Sequence, residues 1–453
     1  MKYRYREDIE MKDSGIEWIG KIPKDWNILK LKRITENVKN GIWGDDAKND
    51  NNDISCIRIL NFDRDKMQIN VDDLTIRNIT LSKQKDYLLK QGDLLIEKSG
   101  GGEKNPVGFV AIYNSNIPAV YANFMAKISL NNNANSNFVK YLCSAIYSKR
   151  IHLDSVNQTT GIQNLDTESY FSRHITLPCI KEQEKIANFL DEKTSQFDSI
   201  ISKKEALIQK LEEAKKSLIS EVVTGKVKVV KNNNGYELVK RSSDDMKDSG
   251  VEWLGEIPKE WEAKRIKYLF EIKKNIAKAL GYDVLSVTQS GIKIKDITKN
   301  EGQLSMDYSK YQIVDIGDFV MNHMDLLTGF VDCSKFNGVT SPDYRVFRLI
   351  DSNNCKQYYN YIFQSCYHNR IFYSLAQGVS GMGRWRLQTD TFKNFIIPMP
   401  SFKEQEKIAL VLTNKIKDID KLKNKLVVNI QKLKEAKQSL ISETVTGKIE
   451  ILD

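Results

Sequence analysis

The sequence predicts an α/β (α+β) protein in which two similar mixed α/β domains are separated by two long helices that form an antiparallel coiled coil. Three observations support this prediction. A block that opens each half of the chain occurs twice, a helix-forming block occurs twice, and the segments between them mix strand-like and helix-like patterns. The chain has 453 residues, more than one hydrophobic core usually organises, so several structural units are expected.

The two repeated blocks divide the sequence into equivalent halves. MKDSGIEWIGKIPKDW, from Met11 to Trp26, returns as MKDSGVEWLGEIPKEW, from Met246 to Trp261. The second block runs from Pro178 to Val227 and returns without gaps from Pro400 to Ile449. The offset is 235 residues for the first block and 222 for the second, so the domains between the blocks differ in length and have diverged.

The second block predicts one long helix in each half. It has no internal Pro or Gly before its VTGK ending, and it is rich in helix-forming residues. A helix of about 40 residues would be roughly 60 Å long, too long to bury its apolar stripe against one small domain, so the two copies are expected to pair. The apolar positions in heptad register, which predict the pairing seam, are Ile186, Leu190, Phe197, Ile200, Leu207, Leu211, Ala214 and Leu218, and Ile408, Leu412, Ile419, Leu422, Leu426, Leu433, Ala436 and Leu440.

These repeats predict five segments. They are a first domain at 1–177, a central long helix at 178–227, a linker at 228–245, a second domain at 246–399 and a C-terminal long helix at 400–453. The linker is polar and contains a Gly and a run of Asn. A repeat joined in this way can pack its helices antiparallel, which predicts a pseudo-two-fold axis with similar domains at opposite ends.

Composition narrows the possible functions. No stretch approaches the roughly 18 consecutive apolar residues of a membrane span, and the start lacks the apolar core of a secretory signal, so a cytoplasmic protein is expected. The six cysteines form no CxxC pair and the four histidines have no metal-ligand spacing with them, so reduced thiols and no metal are expected. The net charge of +10 fits a polyanionic partner, and half of it lies on 403–448, with eleven lysines and six acids.

The two intervening domains share a pattern of strands and loops. In each, Gly-Asp precedes an apolar strand, a loop containing glycine and a second strand: QGDLLIEKSGGGEKNPVGFVAIY from Gln91, and IGDFVMNHMDLLTGFVDCSKF from Ile316. Each domain also ends in a polar loop with glycine just before its long helix, QTTGIQNLD from Gln158 and QGVSGMGRWRLQTD from Gln377. The scaffold is repeated while the domains that it carries differ.

The order of these phrases resembles the specificity subunits of type I restriction-modification systems over nearly the whole chain. IPKDW and IPKEW, GDLLIEKSG and GDFVMNHM, TGIQNLD and GRWRLQTD, and LPCIKEQEKIA and MPSFKEQEKIA are similar to that family's phrases and occur in the same order in each half. The resemblance implies that each domain is a target-recognition domain that reads one half of a split target in double-stranded DNA. It also implies that the helices set the spacer and dock modification subunits, expected to be two, which methylate adenine.

No catalytic site is expected in the chain itself. SGGGEKNPVG around Gly101 does not satisfy a phosphate-binding loop, and the Asn105-Pro106 pair lacks the second proline and the aromatic residue of an adenine methyltransferase loop. The resemblance places AdoMet on the modification subunits, and ATP and Mg²⁺ on restriction subunits that translocate and cleave DNA. Two alternatives stay open: a coiled-coil scaffold with two protein-binding domains and no DNA recognition, and a self-contained DNA-modifying enzyme that binds AdoMet.

Base readout requires paired donors and acceptors on loops that can enter a groove. On this ground the DNA-binding candidates are Lys98, Lys104, Asn105, Thr159, Thr160, Gln163 and Asn164 in the first domain, and His323, Tyr344, Arg345, Arg384, Trp385 and Arg386 in the second. Nearby glycines that would let the backbone approach DNA closely are Gly101, Gly102, Gly381 and Gly383. The alternative for each candidate is an ordinary solvated loop, with a core role for Trp385 and a structural role for His323.

Overall fold

The computed structural model describes residues 2–159, 161–233, 235–296, 307–378 and 385–452. The chain divides into two compact units. Unit 1 consists of Met1–Glu205 and Leu426–Asp453, and unit 2 consists of Ala206–Lys425. Each unit therefore combines one predicted domain with the start of one long helix and the end of the other.

The first half of the chain alternates short strands with a few helices and ends in a long helix. Its strands are β1 (Tyr3–Tyr5), β2 (Met11–Asp13), β3 (Lys21–Pro23), β4 (Asn27–Lys30), β5 (Thr35–Asn40), β6 (Asp45–Asp46), β7 (Asp53–Ile57), β8 (Phe62–Asp63), β9 (Gln68–Ile69), β10 (Thr75–Asn78), β11 (Asp93–Glu97), β12 (Ser99–Gly100), β13 (Val110–Tyr113), β14 (Ala119–Tyr121), β15 (Met125–Leu130), β16 (Val156–Thr159), β17 (Ile162–Leu165) and β18 (His174–Leu177). Its helices are α1 (Leu81–Tyr87), α2 (Ser136–Ser148), α3 (Thr167–Phe171) and α4 (Ile180–Val223).

The second half repeats this organisation. Its strands are β19 (Val227–Asn232), β20 (Gly235–Lys240), β21 (Met246–Asp248), β22 (Glu256–Pro258), β23 (Glu262–Arg265), β24 (Phe270–Lys273), β25 (Leu285–Thr288), β26 (Gly291–Ile294), β27 (Gln312–Val314), β28 (Phe319–Met321), β29 (Val331–Cys333), β30 (Gly338–Thr340), β31 (Arg345–Leu349), β32 (Gln377–Gly378), β33 (Trp385–Arg386), β34 (Ile396–Met399) and β35 (Ile449–Ile451). Its helices are α5 (Lys356–His368), α6 (Ile371–Ser374), α7 (Thr389–Asn394) and α8 (Phe402–Val445). Within the described ranges, no helix combines the length and apolar character needed to cross a membrane.

The domain of unit 1 is organised by a six-stranded sheet in the order β5-β15-β11-β13-β9-β8 and a four-stranded sheet in the order β14-β7-β10-β6. The central strand β11 is antiparallel to both neighbours, with Leu94 opposite Ile112 on one side and Ile128 on the other. The helix α2 packs on β11 and β13 and contributes buried Phe138 and Leu142 to the core. Apolar side chains on both partners therefore hold α2 against the sheet.

The domain of unit 2 has a smaller sheet in the order β24-β31-β28-β29, with α5 packed against β29. Its core is aromatic: Phe270 lies 5.3 to 5.6 Å, ring centre to ring centre, from Phe319, Phe347 and Phe363. These rings meet edge to face, the arrangement that the aromatic quadrupole favours. The second domain thus keeps the helix-on-sheet plan of the first with different packing residues.

A carboxylate at the start of each long helix explains why IPKDW and KEQ are both repeated. In unit 1, Glu182 of α4 accepts hydrogen bonds from Nε1 of Trp26 at 3.0 Å and from Arg6 at 3.1 Å. Glycine of VTGK completes the junction, because Gly447 packs so closely on Pro23 that a Cβ atom would lie 2.4 Å from the proline ring. The equivalent residues in unit 2 are Glu404, Trp261, Arg241, Gly225 and Pro258.

The segment predicted as a linker, 228–245, contains paired structure. β19 and β20 form an antiparallel hairpin, with Asn232 opposite Gly235 at its tip. In unit 1 the equivalent ribbon is made by the two ends of the chain, because β1 pairs antiparallel with β35 and Arg4 lies opposite Glu450. The same two-stranded ribbon is therefore a hairpin that connects the two halves in unit 2, and a pairing of the two chain ends in unit 1.

Ion pairs join the two long helices inside each unit. In unit 2, Lys215 binds Asp420 at 2.8 Å and Glu212 pairs with Lys423, so the partner number falls as the residue number rises and the helices are antiparallel. In unit 1, Lys437 binds Asp198 at 2.6 Å. This is the same pair of repeat positions, since 222 residues separate Asp198 from Asp420 and Lys215 from Lys437.

The heptad pattern is only partly right over the middle of the helices. Ile200, Leu207 and Leu422 are 44%, 43% and 45% exposed, whereas the predicted position Leu426 is buried, as is Ile201 next to Ile200. Where the ion pairs join them, the helices face each other through long charged side chains, and these three apolar positions are left exposed.

We predict that Gly225→Ala lowers the free energy of unfolding by about 3 kcal/mol, because an L-residue at positive φ costs about 1–2 kcal/mol and overpacking adds about as much. The residue has φ of +79°, and its Cβ atom would lie 2.4 Å from the ring of Pro258. Equilibrium urea unfolding of the full chain measures the change. Gly15→Ala is the control, since Gly15 also has positive φ but open space around it, and it should cost about 1 kcal/mol. Equal losses would contradict the packing argument.

Candidate nucleic-acid interface

Each unit projects a loop from the same place in its sheet. The first-domain loop, residues 98–108, connects β11 to β13 and is closed at its base by a hydrogen bond of 3.0 Å from the Glu97 amide to the Phe109 carbonyl. The second-domain loop, residues 323–329, connects β28 to β29 and is closed by a bond of 2.9 Å from the Asn322 amide to the Phe330 carbonyl. The two loops are therefore equivalent although their lengths and sequences differ.

The polar loop near the exit of each domain lies beside this first loop. In unit 1, β17 pairs with β12, which places Asn164 opposite Ser99, and the Leu165 amide donates to the Lys98 carbonyl at 2.8 Å. In unit 2 the Leu387 amide donates to the His323 carbonyl at 3.0 Å. Two segments that are 60 or more residues apart in sequence thus form one continuous surface in each domain.

The first-domain candidates occupy three kinds of environment. Lys104 and Asn105 are exposed in the loop, and Asn164 is exposed on β17. Lys98 is half-buried and donates to Asn40 at 2.6 Å. Gln163 is buried, and its side-chain oxygen accepts from the Val107 amide at 3.3 Å, so it supports the loop from inside. Thr159 ends β16, and Thr160 lies outside the described residues.

The glycines of the first-domain loop differ in their surroundings. A Cβ atom on Gly101 would lie 2.8 Å from the Gln163 side chain and from the Val107 amide, so this glycine is required by packing within the domain. Gly102 has open space around it, which leaves its backbone accessible. Gly381 and Gly383 of the second domain lie outside the described residues.

The second-domain candidates cluster around β33 and the second-domain loop. Trp385 is 38% exposed and meets Tyr373 edge to face at 5.3 Å, and Arg386 follows it. Tyr344 lines a cavity of about 300 Å³ together with Asn322. Arg384 lies outside the described residues.

Arg345 lies inside the second domain and does not reach its surface. Only 4% of it is exposed, and its guanidinium donates to the Leu387 carbonyl at 3.0 Å and to Thr389 at 3.3 Å. The guanidinium also lies 4.5 Å from the centre of the Phe392 ring, and burial lowers the Arg345 pKa to about 10. In this conformation it supports the exit segment from behind and is not available to a duplex.

His323 is a neutral side chain at neutral pH. Burial, followed by the charges of Arg345 and Arg386, lowers its pKa to about 4. A neutral imidazole offers one donor and one acceptor, so any contact it made to a base edge would be a hydrogen bond and not an ion pair.

Sequence reasoning missed the residues behind the first-domain loop. Arg64 donates to the buried carboxylate of Glu97 at 2.6 Å and lies 4.8 Å from the centre of the Phe109 ring. Burial raises the pKa of Glu97 despite this cation. His152 is fully buried and stacks on Tyr147 at 4.6 Å. Glu97 ends an otherwise apolar strand in GDLLIE, and a charge in that position could have indicated a buried polar group. Nothing in the sequence around Arg64 marks it as the partner of Glu97.

The described residues hold no group of three or more His, Cys, Asp and Glu side chains placed to bind a metal ion. The six cysteines are free thiols, and Cys56, Cys143 and Cys366 are buried. What the two surfaces offer is exposed amide, ammonium and indole groups and the half-buried guanidinium of Arg386, groups that can contact nucleic acid through hydrogen bonds, charge and stacking.

Comparisons with known proteins agree on one family. The model of the type I restriction modification DNA specificity domain matches residues 23–213 and 258–432. Two relatives come from Methanocaldococcus jannaschii. The type I restriction enzyme MjaVIII specificity subunit is 25% identical over 329 residues, 69% of this chain and 70% of the relative. The putative type I restriction enzyme MjaX specificity subunit is 25% identical over 449 residues, 96% of each chain.

A solved structure gives the same result for the fold. A chain from work on complex assembly and conformational transition of the type I R-M system aligns with a TM-score of 0.66 and 13% identity, over 94% of this chain and 99% of that chain. The predicted fold class, two mixed α/β domains with two long helices, is confirmed. The predicted resemblance is confirmed by the family match.

We predict that His152→Phe makes the protein less sensitive to acid. Burial, with the charges of Arg173 and Arg150 nearby, lowers the His152 pKa from 6.5 to about 4. As pH falls below 6.5, the unfolded chain therefore binds a proton that the folded chain does not, and stability is lost between pH 6.5 and 4. The loss reaches about 3 kcal/mol, because one pKa unit corresponds to about 1.4 kcal/mol.

Phenylalanine is chosen because Phe372 occupies the equivalent position in unit 2. It lies two residues after Arg370, whose backbone is left-handed, as His152 lies two residues after Arg150. Urea unfolding at pH 7 and pH 5 should show a smaller loss of stability on acidification for the variant than for the wild type. The exposed His174→Phe serves as the control and should keep the wild-type pH dependence. An unchanged slope in His152→Phe would contradict the prediction.

Proposed function

The chain belongs to the type I restriction modification DNA specificity family, and we propose that each of its units reads one half of a split target in double-stranded DNA. The observation that carries this proposal is the shared frame of the two surfaces. In both units an exit segment is hydrogen-bonded to the loop between two sheet strands, while the side chains on that frame differ. One frame with two chemistries suits recognition of two different short sequences.

The exposed groups and the half-buried Arg386 fit different parts of a duplex. In the first domain, the Asn105 and Asn164 amides can pair with adenine edges, and the Lys104 ammonium can neutralise a phosphate. In the second, Arg386 can bind guanine or phosphate, and Trp385 offers an apolar face. We therefore keep Lys104, Asn105, Asn164, Trp385 and Arg386 as the proposed contacts and assign Arg345 and Gln163 to support of the loops.

The long helices are proposed to set the spacer between the two half-targets and to dock the modification subunits. An apolar stripe on the flank of each helix supports docking. In unit 2 it consists of Leu207, Leu211, Ala214 and Leu218 of α4, and in unit 1 of Leu433, Ala436 and Leu440 of α8. The positions Leu211, Ala214 and Leu218 coincide in the repeat with Leu433, Ala436 and Leu440. Leu207, Ala214 and Ala436 are exposed, whereas Leu218 and Leu440 pack partly against the domain cores at the end of each stripe. A duplicated apolar surface fits two copies of one partner.

Catalysis belongs to the partners of this specificity subunit. We propose that two modification subunits bind AdoMet and methylate adenine, and that restriction subunits use ATP and Mg²⁺ to translocate and cleave DNA. The chain itself would supply the target sequence and the geometry of the complex. The alternative of a coiled-coil scaffold without DNA recognition is not favoured by the family match.

We predict that Lys104→Ala weakens binding of the assembled methyltransferase to its target about three- to tenfold, nearly equally for all sequences. The dependence of affinity on salt should also fall by about one ion, because a phosphate contact is lost. Fluorescence anisotropy with labelled duplexes at several salt concentrations measures both quantities. The matched control is Lys83→Ala, an exposed lysine of α1. An identical salt dependence in both variants would remove Lys104 from the interface.

We predict that Ala214→Arg and Ala436→Arg each prevent binding of one modification subunit, and that the double variant prevents both. A buried arginine at an apolar interface has no partner for its charge. Native mass spectrometry of the purified complex counts the subunits bound. Gln209→Arg and Gln431→Arg are matched controls, because these exposed positions lie about 140° around the same helices. Full assembly of the variant that carries both Ala214→Arg and Ala436→Arg would reject this docking surface.

A further inference from the structure

A tyrosine from the main helix of each domain reaches the loop that we propose reads DNA. The Tyr147 hydroxyl, on α2, donates to the Pro106 carbonyl of the first-domain loop at 2.9 Å. The Tyr367 hydroxyl, on α5, donates to the Asn322 carbonyl at the base of the second-domain loop at 2.6 Å. Each tyrosine is the twelfth residue of its helix, so the two side chains occupy equivalent places, although the carbonyls that they contact lie at opposite ends of the two loops.

Packing fixes the direction of both hydroxyl groups. The Tyr147 ring meets Phe109 edge to face at 5.1 Å, and the Tyr367 ring meets Phe330 at 6.1 Å. Both phenylalanines immediately follow the glycine that ends the loop. An aromatic ring held in this way has little rotational freedom, so its hydroxyl acts as a fixed donor.

The acceptor in both domains is a backbone carbonyl. A carbonyl is present whatever residue occupies the position, so this contact tolerates any change of loop side chains. In the first domain the support is extended, because Arg64 donates to the Tyr147 hydroxyl at 3.2 Å and Gln163 accepts from the Val107 amide at 3.3 Å. The loop is thus held at its C-terminal end in unit 1 and at its N-terminal end in unit 2.

We propose that Tyr147 and Tyr367 are positioning residues that set how strictly each domain discriminates the bases of its own half-target. The inference rests on the proposed function. Discrimination between bases requires donors and acceptors placed to within about 0.5 Å, and a loop released from its support loses that placement. Each hydroxyl acts on one loop alone, so each tyrosine governs one half of the target.

The test uses the full-length chain assembled with its modification subunits. Methylation is measured on duplexes that carry the target or single-base changes in either half. Tyr147→Phe removes only the hydroxyl, and we expect it to lower the ratio of target to near-target methylation about five- to tenfold in one half, with the other half unchanged. Tyr367→Phe is expected to do the same in the opposite half.

The matched control is Tyr113→Phe, whose hydroxyl donates to the Ile117 carbonyl at the opposite end of β13 from the first-domain loop. It should leave both ratios at the wild-type value. Thermal unfolding and the number of bound modification subunits are measured for every variant. Tyr147→Phe and Tyr367→Phe also act as folding controls for each other, because each variant should leave discrimination in the other half of the target unchanged. Relaxation of both halves by one variant, or no more effect than Tyr113→Phe, overturns the inference. A wild-type complex that methylates all duplexes equally overturns the proposed function itself.

Discussion

The carboxylate at the start of each long helix is the contact on which both units depend. Glu182 joins the domain entrance, through Trp26, to the ribbon that carries Arg6, and these bonds are strengthened by charge. The next residue continues the junction, because buried Gln183 accepts from the Asn135 amide at 2.9 Å and so fixes the start of α2. Glu404 and Gln405 make the same contacts in unit 2. Loss of either side chain would leave buried partners without hydrogen bonds, which costs more than the bond itself contributes.

The domains can diverge because this junction needs few residues. Farther along the long helices, the residues that contact each domain differ between the two units. Tyr141 donates to Asp191 of α4 at 2.6 Å, whereas its counterpart Tyr361 contacts Thr413 of α8 at 2.9 Å. The tyrosine is retained while the repeat position that it contacts changes from the carboxylate of Asp191 to the hydroxyl of Thr413. The same division holds at the proposed reading surface, where backbone contacts define the frame and the side chains vary. Specificity can therefore change without rebuilding the fold.

The sequence predicted the repeated scaffold well because repeats and long uninterrupted helices follow from local pattern. It failed where long-range packing decides. Ile200 and Leu207 of the heptad pattern were expected inside the helix pair, but they are 44% and 43% exposed. Arg345 was expected to meet DNA, and the aromatic core holds it instead. The sequence did not indicate that the two polar loops of each domain lie side by side, because the hydrogen bonds that join them, such as that from Leu165 to Lys98, link residues far apart in sequence.

If the two units of one chain read two halves of one DNA target, the gene determines a single split methylation motif. Long-read sequencing that reports modified adenines, applied to the host genome with and without this gene, measures this. We expect deletion to remove methylation from a single motif with two short specific halves and a spacer of fixed length, and restoring the gene to restore it. An adenine-methylation pattern that is the same with and without the gene, in cells where the partner subunits are expressed, would show that the chain does not read DNA.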